Sequence, residues 1–259
     1  MLAYQPQTSE GIFLNFIGLI YESVVISIAI IMLILVYLKY QEKRHELTLY
    51  LFAIFVFYFF GVLFSLLSKV FVVSGIDTLI DGNSPLGWIF FRIMSFRVAE
   101  LMICIAIFIS YVLKIKLFHE GYNKIQKYIV IVVGLFTSFF VFFIYRFQDD
   151  SFSVLLDVIA FLFTFIFMGL IYFPFAYRAI EASRNVKNPK YKTAFLSLSI
   201  MSICYILVFF SFFLDRLLIL IFDIIGFTFF YFSAWAFAIG AIFGAYFGYI
   251  RPRAGESQK

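Results

Sequence analysis

The sequence predicts an all-α membrane protein, a single seven-transmembrane helix bundle over residues 1–259, and three observations carry that reading. Hydrophobic residues make up 64% of the chain and charged residues 14%, with a mean hydropathy of +1.03, so lipid is its main solvent. The apolar residues gather into seven runs of helix length, 16–38, 47–67, 86–113, 128–145, 152–177, 193–214 and 217–250. Strands cross lipid only in closed barrels, and the alternating pattern of barrel strands does not occur here. Loops this short leave no room for a water-soluble catalytic domain.

The opening MLAYQPQTSEGIF has no basic n-region or cleavage pattern, so no signal peptide is expected and the first run inserts by itself. That run carries Glu22, and the second carries Lys69. Ser84-Pro85 before the third run and Asn188-Pro189 before the sixth each place a capping side chain ahead of a proline suited to a first helical turn. The third run holds three charges, Arg92, Arg97 and Glu100. Read as one helix, it places Glu100 about 21 Å from Lys114, inside a hydrocarbon core of roughly 30 Å. A carboxylate there needs a partner, and Arg97, three residues earlier on the same face, is the nearest.

The fifth run adds Asp157, and Pro174 near its end predicts a local kink. Asp215 and Arg216 follow the sixth run, and with Lys69 they read as headgroup-level charges. The seventh run carries Asp223 near its start and Trp235 within it, and Gly240, Gly244 and Gly248 recur every fourth residue toward its end. That glycine stripe predicts a close helix contact, within the bundle first and with a homodimer or partner as the alternative. Trp88 reads as an interfacial anchor and Trp235 as core.

Fifteen of the 20 Lys and Arg residues fall on one side of the predicted topology: Lys39, Lys43, Arg44, Lys114, Lys116, Lys124, Lys127, Arg178, Arg184, Lys187, Lys190, Lys192, Arg251, Arg253 and Lys259. The positive-inside rule then puts the C-terminus in the cytoplasm and the N-terminus outside, in the cell or cytoplasmic membrane. Tyr37, Tyr40, Tyr111, Tyr128, Tyr177 and Tyr249 mark the same boundary as an aromatic belt. The net charge of +5 is this topology signal, and nucleic acid is not an expected partner.

Glu22, Arg92, Arg97, Glu100, Asp157 and Asp223 then fall in the outer half, over an inner half almost without charge. This one-sided layout predicts an outward-facing polar vestibule with an apolar floor, suited to binding more than to conduction. A buried network that fixes helix packing is the plainer reading of the same residues. Cys104 and Cys204 lie in apolar runs and imply no disulfide. His45 and His119 lie in predicted loops without a second ligand at metal spacing, so no metal is expected. Phosphate loops, nucleophile elbows and HExxH are missing from the sequence, so no enzyme is expected. Arg97-Val-Ala-Glu100 resembles the Arg-x-x-carboxylate of microbial rhodopsins, but retinal needs a lysine in the last helix, and 224–250 has none. No cofactor is therefore expected.

The topology, and Leu86-Gly-Trp88-x-x-x-Arg92 followed by a basic loop, resemble the seven-helix input modules at the N-terminus of many prokaryotic sensor histidine kinases. In that family the last helix feeds a cytoplasmic kinase. Here nine residues follow Ile250, so the resemblance implies a sensor or receptor-like module signalling through a cytoplasmic or membrane protein partner on the basic loops. The lack of an internal repeat speaks against the first alternative, a transporter or channel for a small solute or ion. The second alternative is a structural subunit of a membrane complex.

Overall fold

A computed structural model describes residues 9–76, 84–118, 124–144, 151–224 and 226–250. His119, Arg146, Arg251, Arg253 and Lys259 lie outside the described residues. The described chain is helical, in the order α1 (Ser9–Lys43), α2 (Glu46–Val73), α3 (Pro85–Met94), α4 (Arg97–Phe118), α5 (Lys124–Phe143), α6 (Ser151–Asn185), α7 (Pro189–Phe222) and α8 (Phe229–Ala245), which ends in a π turn, Tyr246–Ile250. No strand occurs among the described residues. Seven helices are long and apolar enough to cross a membrane, all but the short α3. The protein is thus an integral, multi-pass membrane protein in its architecture.

Both sequence-read caps form. The Ser84 side chain accepts from the Gly87 amide at 2.9 Å, and Asn188 Oδ1 accepts from the Lys190 amide at 3.0 Å. Helix α6 continues through Pro174. Two boundaries differ from the sequence reading. The run 86–113 is not one helix: it breaks after Ser95, where Phe96 takes a left-handed φ of 68°, and α4 restarts at Arg97. No Gly or Pro marks this break, because Phe96 itself adopts the strained backbone. The sixth run extends to Phe222 and takes in Asp215 and Arg216, with no breaker near 215 to stop it. Between Phe222 and the start of α8 at Phe229, Asp223 (φ 48°) and Phe227 (φ 65°) are left-handed.

Helices α1, α2, α4, α6, α7 and α8 close into a ring through successive neighbours, and α5 lies outside in the groove between α4 and α6. Between membrane helices the hydrophobic effect gives little drive, so close packing at small residues takes over. Gly61 lets α2 approach Ile103 of α4, and the α8 stripe faces α7. A Cβ at Gly244 would lie 2.9 Å from the Met201 backbone N, and one at Gly248 would lie 2.4 Å from Leu198. The stripe is thus consumed inside the bundle. The lipid-facing shell is apolar, as at Ile31 of α1 and Val132 of α5.

Most of the described Lys and Arg residues fall at one end of the bundle. Lys116 of α4 pairs with Glu46 of α2, and the Phe118 ring reaches Phe175 of α6 and Phe195 of α7. Tyr37, Tyr128 and Tyr177 are exposed there, whereas Tyr111 and Tyr249 of the expected belt are core. We call the half away from this end the distal half.

Replacing Gly244 with Leu forces α8 off the α7 backbone. The expected result is a clearly lower unfolding midpoint in detergent with the oligomeric state unchanged, read by scanning fluorimetry and light scattering.

Candidate functional site

Three groups of buried ionisable residues meet in the distal half. In the first, Glu22 of α1 faces Ser65 and Lys69, one turn apart on α2, and Tyr231 of α8. Lys69 Nζ donates to Glu22 Oε1 at 2.5 Å and to Ser65 Oγ at 3.3 Å. Ser65 Oγ donates to both Glu22 oxygens at 2.9 Å, and the Tyr231 hydroxyl donates to Oε1 at 2.5 Å. Gly18 makes the room: a Cβ there would lie 3.0 Å from Lys69 Cε and 2.5 Å from the Phe227 ring. One carboxylate thereby ties together α1, α2 and α8.

In the second group, the chain break at Phe96 starts α4 at Arg97 inside the bundle. Arg97 Nη2 pairs with Asp157 Oδ1 of α6, and Nη1 reaches Glu100 Oε2 at 3.3 Å. One guanidinium therefore serves two carboxylates. Glu100 Oε1 is buried without a hydrogen-bond partner. The Phe96 ring packs on Phe161 of α6 and Phe212 of α7, which holds the strained backbone in place.

The third group caps α8. Asp215 Oδ1 accepts from the Thr228 amide at 3.0 Å and from the Thr228 hydroxyl at 2.6 Å, and Thr228 Oγ1 accepts from the Phe230 amide at 3.2 Å. Arg216 Nε lies 3.9 Å from Asp215 Oδ2.

Between the groups is a small cavity of about 20 Å³, where Ser65, Ser68, Lys69, Arg216 and Tyr231 meet the apolar Met94, Phe96, Phe161 and Phe212. Toward the basic end follows an apolar cavity of about 50 Å³ among α1, α2, α4, α7 and α8. The rings of Phe96 and Phe212 line both cavities and stand between them. Beyond them, Tyr58 and Tyr172 share a hydrogen bond of 2.9 Å, Ser110 and Tyr172 one of 2.8 Å, and Tyr205 stacks on Tyr58 at 4.5 Å.

Of the residues singled out in the sequence, Arg97, Glu100 and Asp157 form one cluster and Glu22 belongs to the next. Arg92 does not join them. Its guanidinium lies 3.4 Å over the Trp88 ring, and its Nε donates to the Phe142 carbonyl at 2.9 Å, fastening α3 to α5. Asp223 does not join either: as the left-handed C-cap of α7 it is exposed, because α7 runs two turns further than expected. Lys69, Asp215 and Arg216 are buried within the bundle, 2%, 0% and 7% exposed. Lys114, read as one of the cations of the basic side, is buried at that end. Of the charges expected around a vestibule, Glu22, Arg97, Glu100 and Asp157 are paired inside the bundle. Tyr231 was missed, and its one signal in the sequence is its register on the helix face shared with Trp235.

Comparison with protein families, curated proteins and solved structures gives no match.

Removing one partner of the Glu22–Lys69 pair strands the other charge in a low dielectric. Glu22→Leu and Lys69→Met should each cost about 3–5 kcal/mol, while the double variant Glu22→Leu/Lys69→Met recovers most of the loss. Equilibrium unfolding in micelles reads the cycle.

Proposed function

We propose that the chain is a sensor or receptor-like module, N-terminus outside, whose distal ion network is the switch and whose basic end engages a protein partner. One observation carries this reading. The charged groups join six helices in one half of the bundle, and an aromatic, apolar layer separates them from the basic end. A change of pairing in the network can leave that half through movement of helices, since among the described residues no charged group lines the layer between. A ligand that favours one pairing of Arg97 with Glu100 and Asp157 would bias the tilt of α4 against α6. Such a ligand acts only through different affinities for two states of the bundle.

The resemblance to seven-helix input modules supports the same reading, as does the basic end as a docking surface for an acidic partner. The rival is transport, which needs a wet path through the apolar layer. Native mass spectrometry of the protein taken gently from its own membranes tests the proposal. A discrete bound mass lost in Glu100→Gln, together with a co-purifying protein subunit, is the expected result. Solute flux in proteoliposomes that Glu100→Gln abolishes would overturn it in favour of a transporter.

A further inference from the structure

The larger cavity has a chemistry that the ion network does not use. It measures about 50 Å³, and its wall is mostly carbon: Val25 and Ala29 of α1, Phe55 and Val62 of α2, Val208 of α7 and Ile242 of α8. Among the described residues no charged group lines it. Apolar cavities of about 150 Å³ stay dry and take benzene, so one about a third that size suits an uncharged molecule of a few heavy atoms.

Three polar side chains share the wall, Tyr58, Tyr205 and Trp235. Ser110 gives its proton to the Ala106 carbonyl at 2.8 Å, so Tyr172 donates to Ser110 and Tyr58 in turn donates to Tyr172. The Tyr58 proton is thereby spent, and Tyr205 stacks flat on its ring. Trp235 differs. It is 3% exposed, and its indole Nε1 has no hydrogen-bond partner. The Tyr231 ring lies 6.5 Å from the indole, but its hydroxyl does not complete that bond. A buried indole N–H ordinarily finds an acceptor, and leaving it without one is costly.

We propose that this cavity is a binding site for a small uncharged molecule, an apolar carbon body with one oxygen that accepts from the Trp235 N–H. Short ketones and ethers are the class it fits. A charged ligand would be stranded among carbon atoms. Water would satisfy the indole but leave the carbon wall without contacts. Phe96, whose left-handed backbone starts α4 at Arg97, forms part of the wall, so an occupant touches the residue that places Arg97. The site does not depend on the sensor reading.

Trp88 and Trp235 are the two tryptophans of the chain, so the full protein with isotope-labelled tryptophan, held in lipid nanodiscs, gives one indole N–H signal from each by NMR. Trp88→Phe assigns the signal of Trp235. Titration with acetone is expected to move that signal downfield to a plateau while the Trp88 signal stays in place. Ala238→Leu fills the cavity and should abolish the plateau, and Ala29→Leu on α1 supplies the same filling where the first variant does not fold. A Trp235 signal that stays still, moves without saturating or saturates equally in the filled variants would overturn the proposal. So would a long-lived water, seen by its exchange with the Trp235 N–H, that acetone does not displace.

Discussion

A charge inside a membrane protein must be paired, and this constraint decides how the distal half of the bundle is built. An unpaired carboxylate or ammonium at that depth costs several kcal/mol, so the positions of Glu22, Lys69, Arg97 and Asp157 are coupled before any apolar contact is considered. Glu22 with Lys69 fixes α1 against α2, and Arg97 with Asp157 fixes α4 against α6. Tyr231 and Asp215 bring in α8 and α7 by hydrogen bonds to the same kinds of oxygen. Apolar packing between helices is nondirectional in lipid. The ion pairs supply the direction.

The backbone is strained where it brings these groups together. Phe96 and Phe227 both hold left-handed φ, each at a cost of about 1–3 kcal/mol for a bulky residue. Phe96 ends α3 and starts α4 with Arg97 turned into the bundle. Phe227 closes the α7–α8 turn, fills the notch at Gly18 and precedes the Thr228 cap. Both rings are held by aromatic neighbours, Phe212 and Tyr231 respectively, so the strain and the aromatic core stand or fall together. The same Phe96 and Phe212 rings line both cavities and divide the one beside Lys69 and Arg216 from the larger apolar one.

The fold was largely legible in the sequence. Seven apolar runs and two Ser-Pro or Asn-Pro caps mark most of the spans, because hydropathy and capping act locally. The breaks were not legible: Ser95-Phe96 contains no residue that favours a left-handed backbone, and only tertiary packing of the phenyl ring selects it. The site was half legible. Arg97, Glu100 and Asp157 stand out because charge in an apolar run is costly, and Glu22 does so for the same reason. Asp215 and Arg216 looked like a loop because two adjacent charges end an apolar run in sequence, although here they lie within α7. Asp223 misled in the opposite direction, lying in an apolar stretch that is a turn. Tyr231 could not be told from an interfacial tyrosine without knowing what faces it.

The central claim is that the distal network sets the arrangement of the basic end, across an apolar layer. Pulsed dipolar spectroscopy between spin labels at Leu117→Cys on α4 and Lys190→Cys on α7, in a background with Cys104 and Cys204 replaced by Ala, measures it most directly. Asp157→Asn removes the α4–α6 ion pair without changing side-chain size. The account predicts a shifted or two-component distance distribution in that variant while the protein remains folded. Superimposable distributions with and without Asp157→Asn would contradict it and leave the network as local packing alone.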